Sequence, residues 1–308
     1  MAAAPAVPEG ELDVTVVLPI YNERGHLEAE IERIKAGLDA SEYSYEIVAV
    51  DDGSTDGSGE LLRQLSGIRL IQFAQNRGSG SARKVGTRAA RGRVVVWTDV
   101  DMTHPNHEIP ELVKELEGWD QVVGNRQSEQ GTQAVKALRV PAKWFIRRLA
   151  QYLMERPIPD LNSGFRAFRR DVALQYLHLL PAGFSCVTTI TLSFMANGYS
   201  VKYVPIEYSP RAGESKFHWF KDTRRYLNQV LRMILSYNPL RIFLPLGFVL
   251  GAIGVGKLAY DWTAHDFHMT TNTLLVLFAS CQVFAIGLLA DLQVRLSKRA
   301  DEVDPASL

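Results

Sequence analysis

Cysteine is scarce in this sequence: two in 308 residues, Cys186 and Cys281, far apart and each in apolar surroundings. That excludes a disulfide framework and points to a reducing compartment. An excess of either charge is also missing, because 34 Lys and Arg meet 34 Asp and Glu. The whole chain therefore carries no basic signature of a nucleic-acid partner, and none is expected. Residues 1–10 lack both a basic start and a long apolar stretch. They are expected to be no signal peptide, and residues 1–12 are read as a flexible tail.

Lys and Arg are also absent between Lys257 and Arg295. This gap coincides with the two long apolar runs. Ile242 to Gly256 carries no charge and extends to Tyr260 if Lys257 snorkels; Met269 to Ala290 is uncharged for 22 residues. Each is long enough to cross a bilayer at about 20 residues per span. The alternative is a pair of core helices in a soluble domain, which the length of the runs disfavours. Arg224, Arg225, Arg232 and Arg241 precede this hairpin, and Arg295, Lys298 and Arg299 follow it. The positive-inside rule then places both ends in the cytoplasm and the loop Asp261 to His268 outside. The expected organisation is a catalytic domain over 13–216, an interfacial helix over 217–240, two transmembrane helices over 241–294 and a cytoplasmic tail over 295–308.

Before residue 240 short apolar runs alternate with charged helical segments. Strands are predicted at Val14 to Leu18, Glu46 to Val50, Arg69 to Phe73 and Val94 to Thr98. Helices are predicted at Leu27 to Leu38, Gly59 to Leu65 and Ser81 to Ala90. Such alternation argues for an α/β fold with a mostly parallel sheet and helices on both faces. Ligands in such sheets bind beyond the carboxyl ends of the strands, and four polar or Gly-rich segments fall there: 19–23, 51–56, 76–80 and 99–101. Val140 to Leu153 and Phe217 to Leu235 mix aromatics with Lys and Arg, as basic amphipathic helices on an anionic leaflet do. Trp and Tyr near the hairpin read as interface anchors.

Asp99 and Asp101, on alternate residues after a strand, suit one hard divalent cation, Mg2+ or Mn2+. Such a cation would stabilise a leaving nucleoside diphosphate. Asp51 to Asp56 offers carboxylates to a base or ribose, with Gly53 permitting the turn; a plain acidic turn is the alternative. Asn76 to Lys84 reads as a Gly-rich, phosphate-cradling loop opening a helix, with exposed N–H groups and nearby cations. Cys186, His104 and His107 read as structural or solvated, and Pro181 to Thr189 only as a rim of the site.

In this order, Pro19-Ile20-Tyr21-Asn22-Glu23, Asp51 to Asp56, Asn76-Arg77-Gly78 with Gly80, and Asp99-Val100-Asp101 resemble family 2 glycosyltransferases of the GT-A fold. Asp160 to Arg166 (DLNSGFR) and Arg211 to Lys216 (RAGESK) resemble the polyprenyl-phosphate branch, which includes dolichyl-phosphate mannose synthases and undecaprenyl-phosphate glucosyltransferases. The resemblance spans about Asp13 to Lys216, and the paired spans extend it. It implies that Pro19, Tyr21, Glu23 and Asp52, with Gly78, Lys84 and Asp99, bind a nucleotide-sugar. Asp99 and Asp101 would hold the metal. Thr103 stands where a metal-binding Gln is frequent in the mannose synthases. Arg126, Arg139, Arg211, Ser215 and Lys216 would meet the phosphate of a polyprenyl lipid, with Ser215 and Lys216 on a mobile loop. Catalysis would rest on Asp101, Asp160 and Arg126.

The acceptor phosphate is largely dianionic at neutral pH, so positioning by arginine forks matters more than deprotonation. Direct in-line attack with inversion is expected. Asp160 is the carboxylate expected near the reacting sugar, orienting a hydroxyl or steadying positive charge, with a general-base role or a plain turn cap as alternatives. A UDP-sugar is favoured over a GDP-sugar, and the sugar itself stays open. A different acceptor and a catalytically idle membrane scaffold are the competing readings. The Gln-x-x-Arg-Trp motif and extra spans of long-chain synthases are missing. A homo-oligomer through paired hairpins is a further hypothesis.

Overall fold

The computed structural model describes residues 12–126, 148, 151, 157–183, 185–209, 235, 237–264 and 269–303. It divides into two compact units, residues 1–229 and 230–308.

In the first unit, strands β1 (Val14–Ile20), β2 (Tyr45–Asp51), β3 (Arg69–Gln72), β4 (Val94–Trp97), β5 (Gln121–Arg126), β6 (Arg166–Arg169) and β7 (Val201–Ile206) form one sheet, ordered β3-β2-β1-β4-β6-β5-β7. The pairs β2/β3, β1/β2, β1/β4 and β5/β7 are parallel. Only β6 runs the other way, antiparallel to β4 and β5. The sheet is thus mostly parallel, as expected from the alternation. Because β6 is reversed, the loop that enters it arrives at the sheet edge that β4 and β5 leave. Residues 160–165 are thereby delivered to the edge carrying Asp99 and Arg126.

Helices α1 (Leu27–Asp39), α2 (Ser58–Gln64), α3 (Ser79–Ala89), α4 (Ile109–Lys114), α5 (Arg170–Tyr176) and α6 (Cys186–Ala196) complete this unit. Alternation along β1 sends Val14, Val16, Leu18 and Ile20 to one face, where Ile31, Ile34 and Leu38 of α1 and Leu112 of α4 cover them. Val17 points the other way, joining Val95, Trp97 and Phe168 beneath Ala82 of α3 and Ile190 and Phe194 of α6. Ten consecutive residues of α6, Cys186 to Met195, are buried. Two of its hydroxyls are satisfied locally, Thr189 and Ser193 donating to the carbonyls of Ser185 and Thr189, both at 2.9 Å, while Thr188 donates to the Leu161 carbonyl at 3.0 Å.

The second unit is a hairpin of α7 (Leu240–Ala264) and α8 (Thr271–Val303). Both helices are long and apolar enough to cross a membrane, and only 11% and 17% of their apolar windows is buried. Core helices of a soluble domain would be mostly buried. Small residues let the two approach closely. A Cβ on Gly247 would lie 2.8 Å from Phe284, and one on Gly254 2.6 Å from Leu277. The Ser280 hydroxyl donates to the Gly247 carbonyl at 2.9 Å. At the turn, buried Asp261 accepts from the backbone and hydroxyl of Thr270 (3.0 and 2.8 Å) and from the Thr273 hydroxyl (2.6 Å), capping the start of α8. Helix α8 continues through the segment expected as a tail, as far as Val303. No Gly or Pro interrupts 288–303, and Arg295 pairs with Asp291 at 2.7 Å, one turn away.

Candidate active site

Three of the four strand-end segments are joined by hydrogen bonds. The Asn22 and Glu23 amides donate to the hydroxyls of Ser54 (3.0 Å) and Ser58 (3.1 Å). The Thr55 amide donates to Asn22 Oδ1 at 2.8 Å, and the Arg24 amide to Asp56 at 3.1 Å. Pro19, Tyr21 and Glu23 thereby stand beside the Asp51 to Asp56 turn, all three half-buried. Buried Asp52 accepts from the amides of Arg77 (2.6 Å) and Gly78 (2.8 Å), which ties in the third segment. Burial raises the Asp52 pKa, and those two amides offset part of the rise. An open depression of about 450 Å³ flanks this cluster, between α2 and the ends of β2 and β3. Asp51, Thr55, Arg63 and Phe73 line it, and Asp99, Asp101 and Arg126 do not.

The Gly-rich loop differs from a phosphate cradle. The amides of Gly80 (2.7 Å) and Ser81 (3.3 Å) donate to the Ala182 carbonyl, and Lys84 Nζ donates to the Leu180 carbonyl at 3.0 Å. A Cβ on Gly78 or Gly80 would collide with the carbonyls of Ala182 and Pro181. The glycines serve close approach of the 180–183 segment, and the helix start is already satisfied by protein. Gly80→Ala is therefore expected to destabilise the fold by about 1–3 kcal/mol. An unchanged thermal midpoint would show that the segment moves aside at no cost.

Asp99 Oδ1 accepts from Arg83 at 2.6 Å. Arg83 is 2% exposed and lies 5.7 Å from the Trp97 ring. Burial pulls its pKa down, but its partners together, the Asp99 carboxylate first among them, outweigh that pull, so the net shift is upward. Asp101 is buried and accepts from the Thr103 hydroxyl at 2.5 Å. Beneath Asp99 lies buried His104, with Nε2 3.6 Å from Asp99 Oδ2.

Two strands away, at the end of β5, Arg126 grips Asp160 with two bonds, Nε to Oδ2 at 2.7 Å and Nη2 to Oδ1 at 2.9 Å. The Asn162 amide adds a bond of 2.9 Å to the same carboxylate. Burial pushes the Asp160 pKa up, but the Arg126 fork and the Asn162 amide outweigh it, leaving it below 3.8. A carboxylate so held is a poor general base. What the structure shows is a two-bond grip on Arg126. Behind this pair, fully buried Arg166 donates to the carbonyls of Ser163 and Val187 and to the Thr191 hydroxyl (2.7 Å). Burial lowers its pKa to about 10. Arg166 thus fastens the 160–164 loop to α6. Cys186 sits between Arg83 and Arg166, its thiol pushed up by burial.

The sequence profile of Glycosyl transferase family 2 matches residues 15–177, and the GtrB C-terminal hairpin profile matches residues 238–296. The chain belongs to glycosyl transferase family 2. Among curated family 2 relatives, the undecaprenyl-phosphate 4-deoxy-4-formamido-L-arabinose transferase of Aeromonas hydrophila is 30% identical over 300 residues. The alignment covers 90% of this chain and 87% of that protein. The protein of the same name from Enterobacter sp. matches to the same identity and extent. Among solved structures, glucosyl-3-phosphoglycerate synthase from Mycobacterium tuberculosis, in complex with Mn2+, UDP-glucose and phosphoglyceric acid, superposes with a TM-score of 0.57 at 22% identity. That alignment covers 73% of this chain and 80% of the other, and it identifies the fold as GT-A.

The GT-A fold of family 2 implies a divalent cation at Asp99 and Asp101. The donors present are hard carboxylate oxygens, the kind Mg2+ and Mn2+ prefer. Gly164 keeps the space beside Asp99 Oδ2 open, since a Cβ there would collide with that oxygen. Among the described residues no third His, Cys, Asp or Glu completes a ligand cluster. The pair therefore fits a cation that takes its other ligands from substrate oxygens and water. Of the family 2 phosphate-binding candidates, Arg139, Arg211, Ser215 and Lys216 lie outside the described residues, as do most of 140–153 and 217–240.

The sequence motifs contain Arg83 and Arg166 without pointing to a role for either, Tyr208 stands outside them, and His104 was expected to be structural or solvated. Arg83 had one local signal. It shares the inward face of α3 with Ala82, Gly86 and Thr87, all buried, and a charge on an inward face requires a partner.

Proposed function

We propose that this glycosyltransferase moves a sugar from a nucleotide-sugar, with a UDP-sugar favoured, onto polyprenyl phosphate with inversion at the anomeric carbon. One observation carries the reading: the loop entering β6 touches both centres, Gly164 against Asp99 and Asp160 against Arg126. Donor carboxylates and an arginine fork are thereby held at the two ends of five residues. The names of the curated relatives and the hairpin match support a lipid-phosphate acceptor.

A divalent cation bound at Asp99 and Asp101 would offset charge on the leaving diphosphate. Arg126, aimed by Asp160, holds the acceptor phosphate, and burial around the pair strengthens that contact. A phosphate oxygen bonds to the anomeric carbon as the bond from that carbon to the diphosphate oxygen breaks. The attacking phosphate is already dianionic, so no base is required. The hairpin lies in the membrane, with its basic flanks and the catalytic unit on the cytoplasmic side.

The test uses purified full-length protein, undecaprenyl phosphate, Mg2+ or Mn2+ and a panel of UDP- and GDP-sugars, with mass spectrometry of the organic phase. A sugar-phospholipid product establishes acceptor and donor together. Donor turnover or binding without any lipid product would overturn the acceptor.

A further inference from the structure

Tyr208 lies two residues beyond the end of β7, whose last residue, Ile206, pairs with Arg126. Its ring centroid is 5.3 Å from the Arg126 guanidinium carbon. The Tyr208 ring also meets His104 edge-on, with centroids 5.7 Å apart and planes at 64°. His104 in turn stacks on Phe165 at 5.6 Å and 21°. The Ser209 amide donates to the Thr103 carbonyl at 3.1 Å, which anchors this stretch to the loop carrying Asp101. Tyr208 is therefore fixed by its own neighbours before it meets Arg126.

We propose that Tyr208 is a positioning residue for the acceptor-side arginine, its ring face fixing the plane of the Arg126 guanidinium while Asp160 fixes the edge. A guanidinium held only by a carboxylate fork still rocks about the axis of that fork. An aromatic face against it removes this freedom, through attraction between the cation and the ring quadrupole. The direction offered to a phosphate is then set in advance, which lowers the ordering cost of binding. The same ring, through His104, joins Arg126 to the Asp99 end of the site. The proposal rests on the reading of Arg126 as the residue that meets the acceptor phosphate.

The experiment compares Tyr208→Phe with Tyr208→Leu in the full-length protein, using undecaprenyl phosphate and the nucleotide-sugar that turns over. Leucine keeps apolar bulk without a π face, so the acceptor KM is expected to rise about tenfold while the donor KM holds. Phenylalanine restores most of that loss. Equal damage from both variants would assign the effect to the hydroxyl and overturn the proposal, as would an unchanged acceptor KM in Tyr208→Leu or a parallel change in both substrate constants. A second readout needs no acceptor: a double-mutant cycle of Tyr208→Leu with Arg126→Met on thermal midpoints. If the wild-type protein makes no lipid product, the acceptor reading fails and the cycle alone decides. Coupling of the two substitutions then upholds the contact, and additivity overturns it.

Discussion

Asp99→Asn and Asp101→Asn are expected to lower sugar transfer alike, by roughly 10²–10³-fold, yet to part company in stability. Both remove a carboxylate from the donor centre. Only Asp99 neutralises Arg83, which is almost wholly enclosed. Taking one partner from a buried pair leaves an uncompensated charge and costs about 3–5 kcal/mol. Asp99 is itself 35% exposed, and screening there reduces the expected loss to about 2–3 kcal/mol. In a unit of this size that is a fall in the thermal midpoint of roughly 5–10 °C. Asp101 accepts from the Thr103 hydroxyl, a bond that the Asn side-chain oxygen preserves, so its variant should stay within about 1 kcal/mol of wild type. Scanning calorimetry beside a transfer assay separates the cases. Wild-type turnover in Asp101→Asn would remove that carboxylate from the donor centre.

Asp160→Asn is expected to lower transfer by about 10²-fold, because the Arg126 fork loses the charged partner that aims it. The pH profile tells this apart from loss of a base. The folded Asp160 carboxyl titrates below its ordinary value of 3.8, so it stays ionised across the working range. Its stabilising contribution is present above the ordinary value and is lost as pH falls through the lower, folded one. The acidic limb of activity should instead follow the acceptor phosphate, whose second pKa is about 6. That limb should stay in place in Asp160→Asn. Its disappearance would restore Asp160 as the base.

Much of the first half was legible because the chain punctuates itself. The observed bounds of β1 to β4 and α1 to α3 fall within two residues of those expected, since apolar runs there give way to polar turns just past Pro19, at Asp51-Asp52-Gly53 or at Asn76-Arg77-Gly78. The reversal of β6 was not legible. Arg-Ala-Phe-Arg states no direction, and only pairing with β4 and β5 supplies one. The Gly-rich loop misled for a related reason: glycine marks close approach of something, and here it is the 180–183 backbone, about a hundred residues away. Asp160 and Arg126 were both singled out from sequence, but their mutual grip spans 34 residues and is a fact of folding alone.

The backward strand, fifth of seven in the sheet, also bears on how such a protein diversifies. On one side of it stand β1 to β4 with the carboxylate pair, and on the other β5 and β7 with the arginine fork and Tyr208. Substitutions that retune the sugar can accumulate on the first side, and those that retune the lipid phosphate on the second. Arg166 and the 160–164 loop form the seam between them. Mixed chains joined between Asp101 and β5, so that the carboxylate pair comes from one relative and Arg126, the 160–164 loop and Tyr208 from another, are the natural way to recombine donors with acceptors.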